Sequence, residues 1–150
     1  MTYKLEALSE KHLDGINEID KSSFSRPWSA ESFKSELTNP LAVYWVAVDD
    51  NDNVIGYGGY WWIFDEANIT NIAVHPNYRQ KGIASAILTA MCEKCSVTDV
   101  LTLNLEVRVS NTPAQSLYKK FGFKEVGVRP KYYDNKEDAI LMTKEIEQLD

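Results

Sequence analysis

Apolar residues recur at every second position from Leu101 through Leu103, Leu105 and Val107 to Val109, with Thr102, Asn104, Glu106 and Arg108 between them. A period of two puts the two sets on opposite faces of a strand. Helical spacing replaces it at Ala84, Ile87, Leu88, Met91 and Cys95, which share the apolar side of a helix over Ile83–Ser96. Leu13, Ile16 and Ile19 follow the same spacing behind Ser9, so a helix opens there, with His12 three residues on. A second short helix follows Trp28, with Ser29 as its N-cap and Phe33 and Leu37 on one face. A first strand covers residues 3–8. Residues 41–48 and 54–64, rich in β-branched and aromatic side chains, flank Asp49-Asp50-Asn51-Asp52-Asn53 and predict a hairpin. A strand over 67–74 stops at His75-Pro76, and residues 123–128 and 139–144 supply the last two. Between them Thr112 serves as N-cap, Pro113 takes the first helical position, Gln115 is placed for a capping box and Gly122 ends the helix. The order is strand, two helices, three strands, helix, strand, helix, two strands. That is an α/β (α+β) architecture with a mixed, largely antiparallel seven-stranded sheet and about four helices, not a doubly wound nucleotide fold.

Composition narrows the class. A chain of 150 residues, 44% apolar, is about one domain's worth, and no repeat or linker interrupts it, so residues 1–150 are expected to form a single domain. The net charge of −6 disfavours nucleic-acid binding, which needs a basic surface. The charge is uneven: residues 1–75 carry 12 acids and 5 bases, residues 76–150 carry 10 acids and 11 bases. An anionic ligand is expected to prefer the second half. The charged N-terminal stretch lacks the apolar run of a signal peptide, and residues 41–48 are too short to span a bilayer, so a soluble cytoplasmic protein without membrane contact is expected. Cys92 and Cys95 form a lone C-x-x-C, compatible with a redox pair or half a zinc site. Their helical spacing favours buried thiols, and no second Cys/His pair is present to complete a metal site; no metal is expected.

The segment with the most chemistry runs from Ile72 to Ser85: strand, short basic loop, helix start. Free amide N–H groups and the positive dipole end of the helix converge there, with Arg79 and Lys81 adding charge and no acid from Pro76 to Met91. Gly82 lets the backbone approach an anion. The residues alone leave an anion site and an ordinary solvated loop both open. A Walker loop is absent, and Gly56-Tyr57-Gly58-Gly59-Tyr60-Trp61 lacks the last glycine of a dinucleotide fingerprint.

Arg79-Gln80-Lys81-Gly82-Ile83-Ala84 resembles the Arg/Gln-x-x-Gly-x-Gly/Ala signature of the GNAT N-acetyltransferases, whose loop binds the pyrophosphate of acetyl-CoA. Segments 105–111, 117–123, Tyr132-Tyr133 and Glu137-Asp138-Ala139 are similar to the RimI-type branch, the ribosomal-protein alanine N-acetyltransferases, as is Pro27-Trp28-Ser29 with Phe33. The resemblance implies a GNAT-like sheet with helices on both faces and acetyl-CoA as co-substrate. It implies that the backbone of Ile72, Ala73 and Val74 pairs with the pantetheine arm. Gln80, Lys81, Gly82, Ile83, Ala84 and Ser85 would cradle the pyrophosphate, and Asn111 would hold the cofactor further along. Glu106 would be the general base, Tyr118 the general acid, and a backbone N–H near Ala73 or Val74 the oxyanion donor. The acceptor implied is the N-terminal alanine of a ribosomal small-subunit protein, a basic peptide.

Elementary chemistry is compatible with those roles. An α-amino group with a pKa near 8 is about 10% neutral at pH 7, a lysine near 10.4 only about 0.04%, so a modest carboxylate base suits an N-terminus better. The residues alone read otherwise: Glu106 as a carboxylate on a solvated strand face, Tyr118 as an aromatic packed on the sheet. With neither cysteine near the candidate site, direct transfer in a ternary complex is expected rather than an acyl-enzyme. Two rivals stay open: acetylation of a lysine or small-molecule amine on the same fold, and a silent acyl-CoA-binding module. His12 is expected on the surface, His75 at a strand end without an assigned role. Trp61 and Trp62 should split between core and surface. Tyr132, Tyr133, Glu137 and Asp138 are expected between the last two strands, as a peptide-closing segment or a plain hairpin.

Overall fold

Among the described residues the alternating and helical patterns become seven strands and four α-helices in the predicted order. They are β1 (Tyr3–Ala7), α1 (Leu13–Ser23), α2 (Ala30–Glu36), β2 (Ala42–Asp49), β3 (Val54–Ile63), β4 (Glu66–Val74), α3 (Ile83–Ser96), β5 (Thr102–Arg108), α4 (Thr112–Lys120), β6 (Lys124–Tyr133) and β7 (Glu137–Glu145). The structure is a computed structural model that describes residues 2–23, 30–133 and 136–149. Pro27, Trp28 and the expected cap Ser29 lie outside the described residues. The strand order is β1-β2-β3-β4-β5-β7-β6. β4 and β5 run parallel, whereas β1–β2, β2–β3, β5–β7 and β6–β7 are antiparallel. The chain divides into two compact units, Met1–Trp61 with Thr70–Met91 and Trp62–Ile69 with Cys92–Asp150.

In the first unit the core gathers Ile16 and Ile19 from α1, Phe33 from α2 and Tyr44, Val46, Val48 and Tyr57 from the β2–β3 hairpin. The Asp49 carboxylate closes that hairpin by accepting the N–H groups of Asn51 and Asn53, each at 2.9 Å, and these bonds hold its pKa below the usual carboxylate range. α3 lies directly on β3. A Cβ on Gly56 would meet Ile83 Cγ2 at 2.9 Å and one on Gly58 would meet Ile87 Cγ2 at 2.8 Å, so both isoleucines pack on bare backbone. Burying each contributes about 1.5–3 kcal/mol, which fixes the start of α3 against the sheet.

His12 is a correction: it is buried, not on the surface. A single 3-10 turn, Glu10–His12, precedes α1. There the Ser9 N–H donates to Nδ1 at 3.0 Å and Nε2 lies 2.9 Å from Glu6 Oε1, so the ring is satisfied without water. The tryptophans are a second correction. Neither ring is in the core: Trp61 Nε1–H donates to Glu36 Oε2 at 2.7 Å, and Trp62 Nε1–H donates to the Phe64 carbonyl at 2.6 Å in the other unit, which keeps both at intermediate depth.

In the second unit β5 buries Leu103, Leu105 and Val107 as its period demands, while Leu101 and Val109 fall just beyond the strand and are about half exposed. Asn111, not Thr112, caps α4, because its Oδ1 accepts the Ala114 N–H at 3.2 Å. Gln115 makes no capping box; its amide donates to the carbonyls of Arg108 and Val109 at 3.0 and 2.9 Å. Cys95 is buried as expected, but Cys92 is only partly so, with burial pushing its thiol pKa up. β6 and β7 extend beyond their apolar runs, so Tyr132, Tyr133, Glu137 and Asp138 lie in strands rather than between them.

Candidate active site

The predicted site residues fall into two groups, one in each unit: Ile72–Val74 and Gln80–Ser85 in the first, Glu106, Asn111 and Tyr118 in the second.

The first group is built by the way β4 ends. Its parallel ladder with β5 comprises Glu66↔Thr102, Ala67↔Leu103 and Asn68↔Asn104, all N-terminal to Ile72, Ala73 and Val74. A strand end can pair with an extended chain of alternating donors and acceptors. After Val74, His75 caps a 3-10 turn, Pro76–Tyr78, through Nδ1, which accepts the Asn77 N–H at 3.1 Å. That contact gives His75 a structural role. The loop then turns twice through left-handed backbone, at Gln80 (φ 63) and Gly82 (φ 81). Left-handed residues beside ordinary ones turn successive N–H groups toward one concavity, the geometry of an anion nest. Nothing lies within 4 Å of a Cβ built on Gly82, so the glycine is there for its conformation and open approach, not for packing. Lys81 is exposed and Ile83 buried, so Ile83 can offer a ligand only its N–H. Arg79 Nε–H donates to the Val74 carbonyl at 3.3 Å, tying the loop to the strand end.

In the second group Glu106 and Arg108 sit two apart on the polar face of β5, each paired with the terminal hairpin. Glu106 Oε1 is 3.3 Å from Arg129 Nη2, and Arg108 Nη1 is 3.2 Å from Glu137 Oε1. Glu137 Oε2 also accepts the Ser110 N–H at 2.8 Å, and those bonds hold its pKa below the usual range. The guanidinium of Arg108 lies 4.3 Å from the Tyr133 ring centroid and that of Arg129 4.7 Å from Tyr132, cation–π contacts in both cases. Burial raises the Tyr133 phenol to about 12, while hydrogen bonding to Glu106 is the main cause of the rise at Tyr132. Tyr118, on α4, stacks edge-on against Phe123 at 5.8 Å, and burial raises its phenol to about 12. It is therefore a protonated donor at neutral pH. Asn111 is exposed and keeps its amide N–H groups free of the cap made by Oδ1.

Arg129 was not legible as a site residue. It pairs with Glu106 across an intervening strand, a relation with no sequence spacing, although Tyr132-Tyr133 and Glu137 flag the neighbourhood.

The model of the Acetyltransferase (GNAT) family matches residues 13–123. The chain belongs to this family. Among GNAT relatives, a candidate [ribosomal protein bS18]-alanine N-acetyltransferase of Bacillus subtilis is 46% identical over 132 residues, covering 87% of each chain. The [ribosomal protein bS18]-alanine N-acetyltransferase of Escherichia coli K12 is 32% identical over 141 residues, covering 92% of this chain and 94% of its own. The crystal structure of the ribosomal-protein-S18-alanine N-acetyltransferase from Escherichia coli superposes with a TM-score of 0.90 at 30% identity, over 99% of this chain and 97% of that one. The fold and family expected from the loop signature are borne out. Among the described residues no helix is long and apolar enough to cross a membrane.

Proposed function

We propose that the chain transfers the acetyl group of acetyl-CoA to the α-amino group of an N-terminal alanine, with ribosomal protein bS18 as the acceptor. The observation that carries this reading is the near full-length identity to a bS18-alanine N-acetyltransferase, 32% over 141 residues, together with a matching fold. The family match runs through segments of both units, which supports treating residues 1–150 as one functional domain. A ribosomal acceptor fits a cytoplasmic place of action.

The residues fit the donor. The strand end at Ile72–Val74 is suited to a pantetheine amide chain, and the left-handed turns at Gln80 and Gly82, with Lys81 and the N–H groups of Ile83, Ala84 and Ser85, suit a pyrophosphate. Asn111 is the candidate for a further amide contact, and an N–H of Ala73 or Val74 for the oxyanion. Glu106 is the candidate base, accepting the proton that the amine loses as it attacks the thioester carbon. Tyr118 is the candidate donor to the departing sulfur. With its phenol at about 12 and a thiol near 8.5, complete proton transfer would be uphill by roughly 5 kcal/mol, so Tyr118 stabilises the thiolate by hydrogen bonding. No covalent enzyme intermediate is invoked.

The test is mass spectrometry of acetyl-CoA reactions with an alanine-initiated bS18 peptide, the same peptide blocked at its N-terminus but carrying lysines, and a small-amine panel. Acetylation confined to the free α-amino group is expected. Modification of the blocked peptide would move the assignment to lysine, and no turnover with normal acetyl-CoA binding would indicate a silent module.

A further inference from the structure

The strand register explains how a residue two strands away reaches Glu106. Glu106, Leu141 and Gly127 form one row across β5, β7 and β6, and Arg108, Ala139 and Arg129 form the next. Directly opposed residues share a sheet face, as do residues two apart on one strand, so Arg129 stands on the Glu106 face, about 12 Å away with two strand spacings of roughly 4.8 Å across and two rises of about 3.4 Å along. The line between them crosses β7 between Leu141 and Ala139, and because Leu141 Cδ1 lies 3.5 Å from a Cβ built on Gly127, the opening is on the Ala139 side. Gly127 has no side chain and Ala139 only a methyl group. Across this low ground Arg129 Nη2 reaches Glu106 Oε1 at 3.3 Å.

An aromatic ring braces it. Between Arg129 and Tyr133 the β6–β7 register shifts, with Lys131 at φ 51 and its N–H donating to Asp138 Oδ1 at 2.9 Å. The bulge brings Tyr132 back over the Arg129 guanidinium, 4.7 Å from its ring centroid, with the Glu106 carboxylate raising the pKa of its hydroxyl. The ion pair is open to water, with side chains 52% and 28% exposed, and such pairs add little stability. What the pair does is hold one carboxylate in one orientation, with the Tyr132 ring holding the guanidinium.

We propose that Arg129 is a positioning residue for Glu106: braced by the Tyr132 ring, it restrains the carboxylate and leaves its remaining lone pairs to the acceptor amine. A carboxylate has about four acceptor directions, so the guanidinium does not exhaust it. The inference rests on Glu106 being the general base.

Steady-state kinetics with acetyl-CoA and an alanine-initiated bS18 peptide separate the two claims. Arg129→Gln is expected to lower kcat about tenfold, with the KM for acetyl-CoA and the melting temperature unchanged, because misorienting a catalytic group costs rate rather than cofactor binding. Arg129→Lys should recover part of the loss. Glu106→Gln should lose about 100-fold or more, and the double variant should be no slower than Glu106→Gln alone. A kcat for Arg129→Gln within about twofold of the unmodified enzyme, beside a crippled Glu106→Gln, overturns the role of Arg129 and leaves the base assignment standing. A further drop in the double variant, or a lowered melting temperature without rescue by lysine, overturns it too. An active Glu106→Gln removes the base assignment and this proposal with it.

Discussion

Tyr57 donates a 2.6 Å hydrogen bond to Asp20 Oδ1, joining the middle of β3 to the buried side of α1 with both side chains at 0% exposure. Burial is the main cause that pushes the Tyr57 phenol far up, with the Asp20 hydrogen bond next, so it serves as a permanent donor to the carboxylate. Tyr57 also packs edge-on against Phe33 of α2 at 5.5 Å, so one side chain ties both N-terminal helices to the sheet. Tyr57→Phe keeps the ring and removes the donor. Chemical denaturation should show a loss of about 1–3 kcal/mol, the usual cost of a buried charged acceptor losing one partner. A midpoint unmoved would mean that the remaining contacts of Asp20 suffice.

Gly82 tests the anion nest. Its backbone is left-handed and its Cβ direction is open, so Gly82→Ala adds conformational strain of about 1–2 kcal/mol without a clash, whereas Gly82→Asp adds a repelling charge as well. Calorimetric affinity for acetyl-CoA is expected to fall in the order glycine, alanine, aspartate. Equal affinity for the alanine and aspartate variants would place the pyrophosphate elsewhere.

Removal of the Tyr118 hydroxyl separates catalysis from packing. Its ring stays against Phe123, so Tyr118→Phe should melt at the normal temperature and bind acetyl-CoA normally. Its kcat should fall by about 100-fold, as for loss of a donor to developing charge. Wild-type turnover in this variant would remove Tyr118 from the chemistry.

Glu6 predicts a pH signature. Hydrogen bonding to His12 is the main cause that brings its carboxyl down from 4.5 to about 2, helped by Lys11 and Lys4. A depressed folded-state value contributes stability that is fully present above about pH 4.5 and is lost as pH falls through about 2. Melting temperature against pH should therefore fall more steeply for the unmodified protein than for Glu6→Gln in that window. Parallel curves would show that the pair contributes nothing.

Residues 1–75 carry 12 acids against 5 bases, and a basic acceptor peptide should be steered by them. The second-order rate for such a peptide is expected to fall as salt rises, and a neutral peptide should show no such dependence. Identical salt profiles would make the charge asymmetry incidental.

Most of the fold is local in origin and was legible for that reason. Helical periodicity fixed α3 to the residue, period-two alternation fixed the buried face of β5, and Gly82 with its basic neighbours marked the loop. The differences arise where a specific side-chain contact or strand pairing, rather than the apolar period, decides. His12 turns inward because Glu6 waits on β1, and Asn111 displaces Thr112 as cap because the loop after β5 presents its oxygen to Ala114. β6 outruns its apolar run because its backbone is held by β7, whatever its side chains are.

The sequence by itself determined the order of elements, the apolar faces and the anion-friendly loop, because each depends on spacing within a few residues. Only the tertiary structure decided the company Glu106 keeps. Arg129, with Tyr132 over its guanidinium, reaches it across β7, through a register that brings residues more than twenty positions apart onto one face, and pairing between strands leaves no periodic trace in the chain.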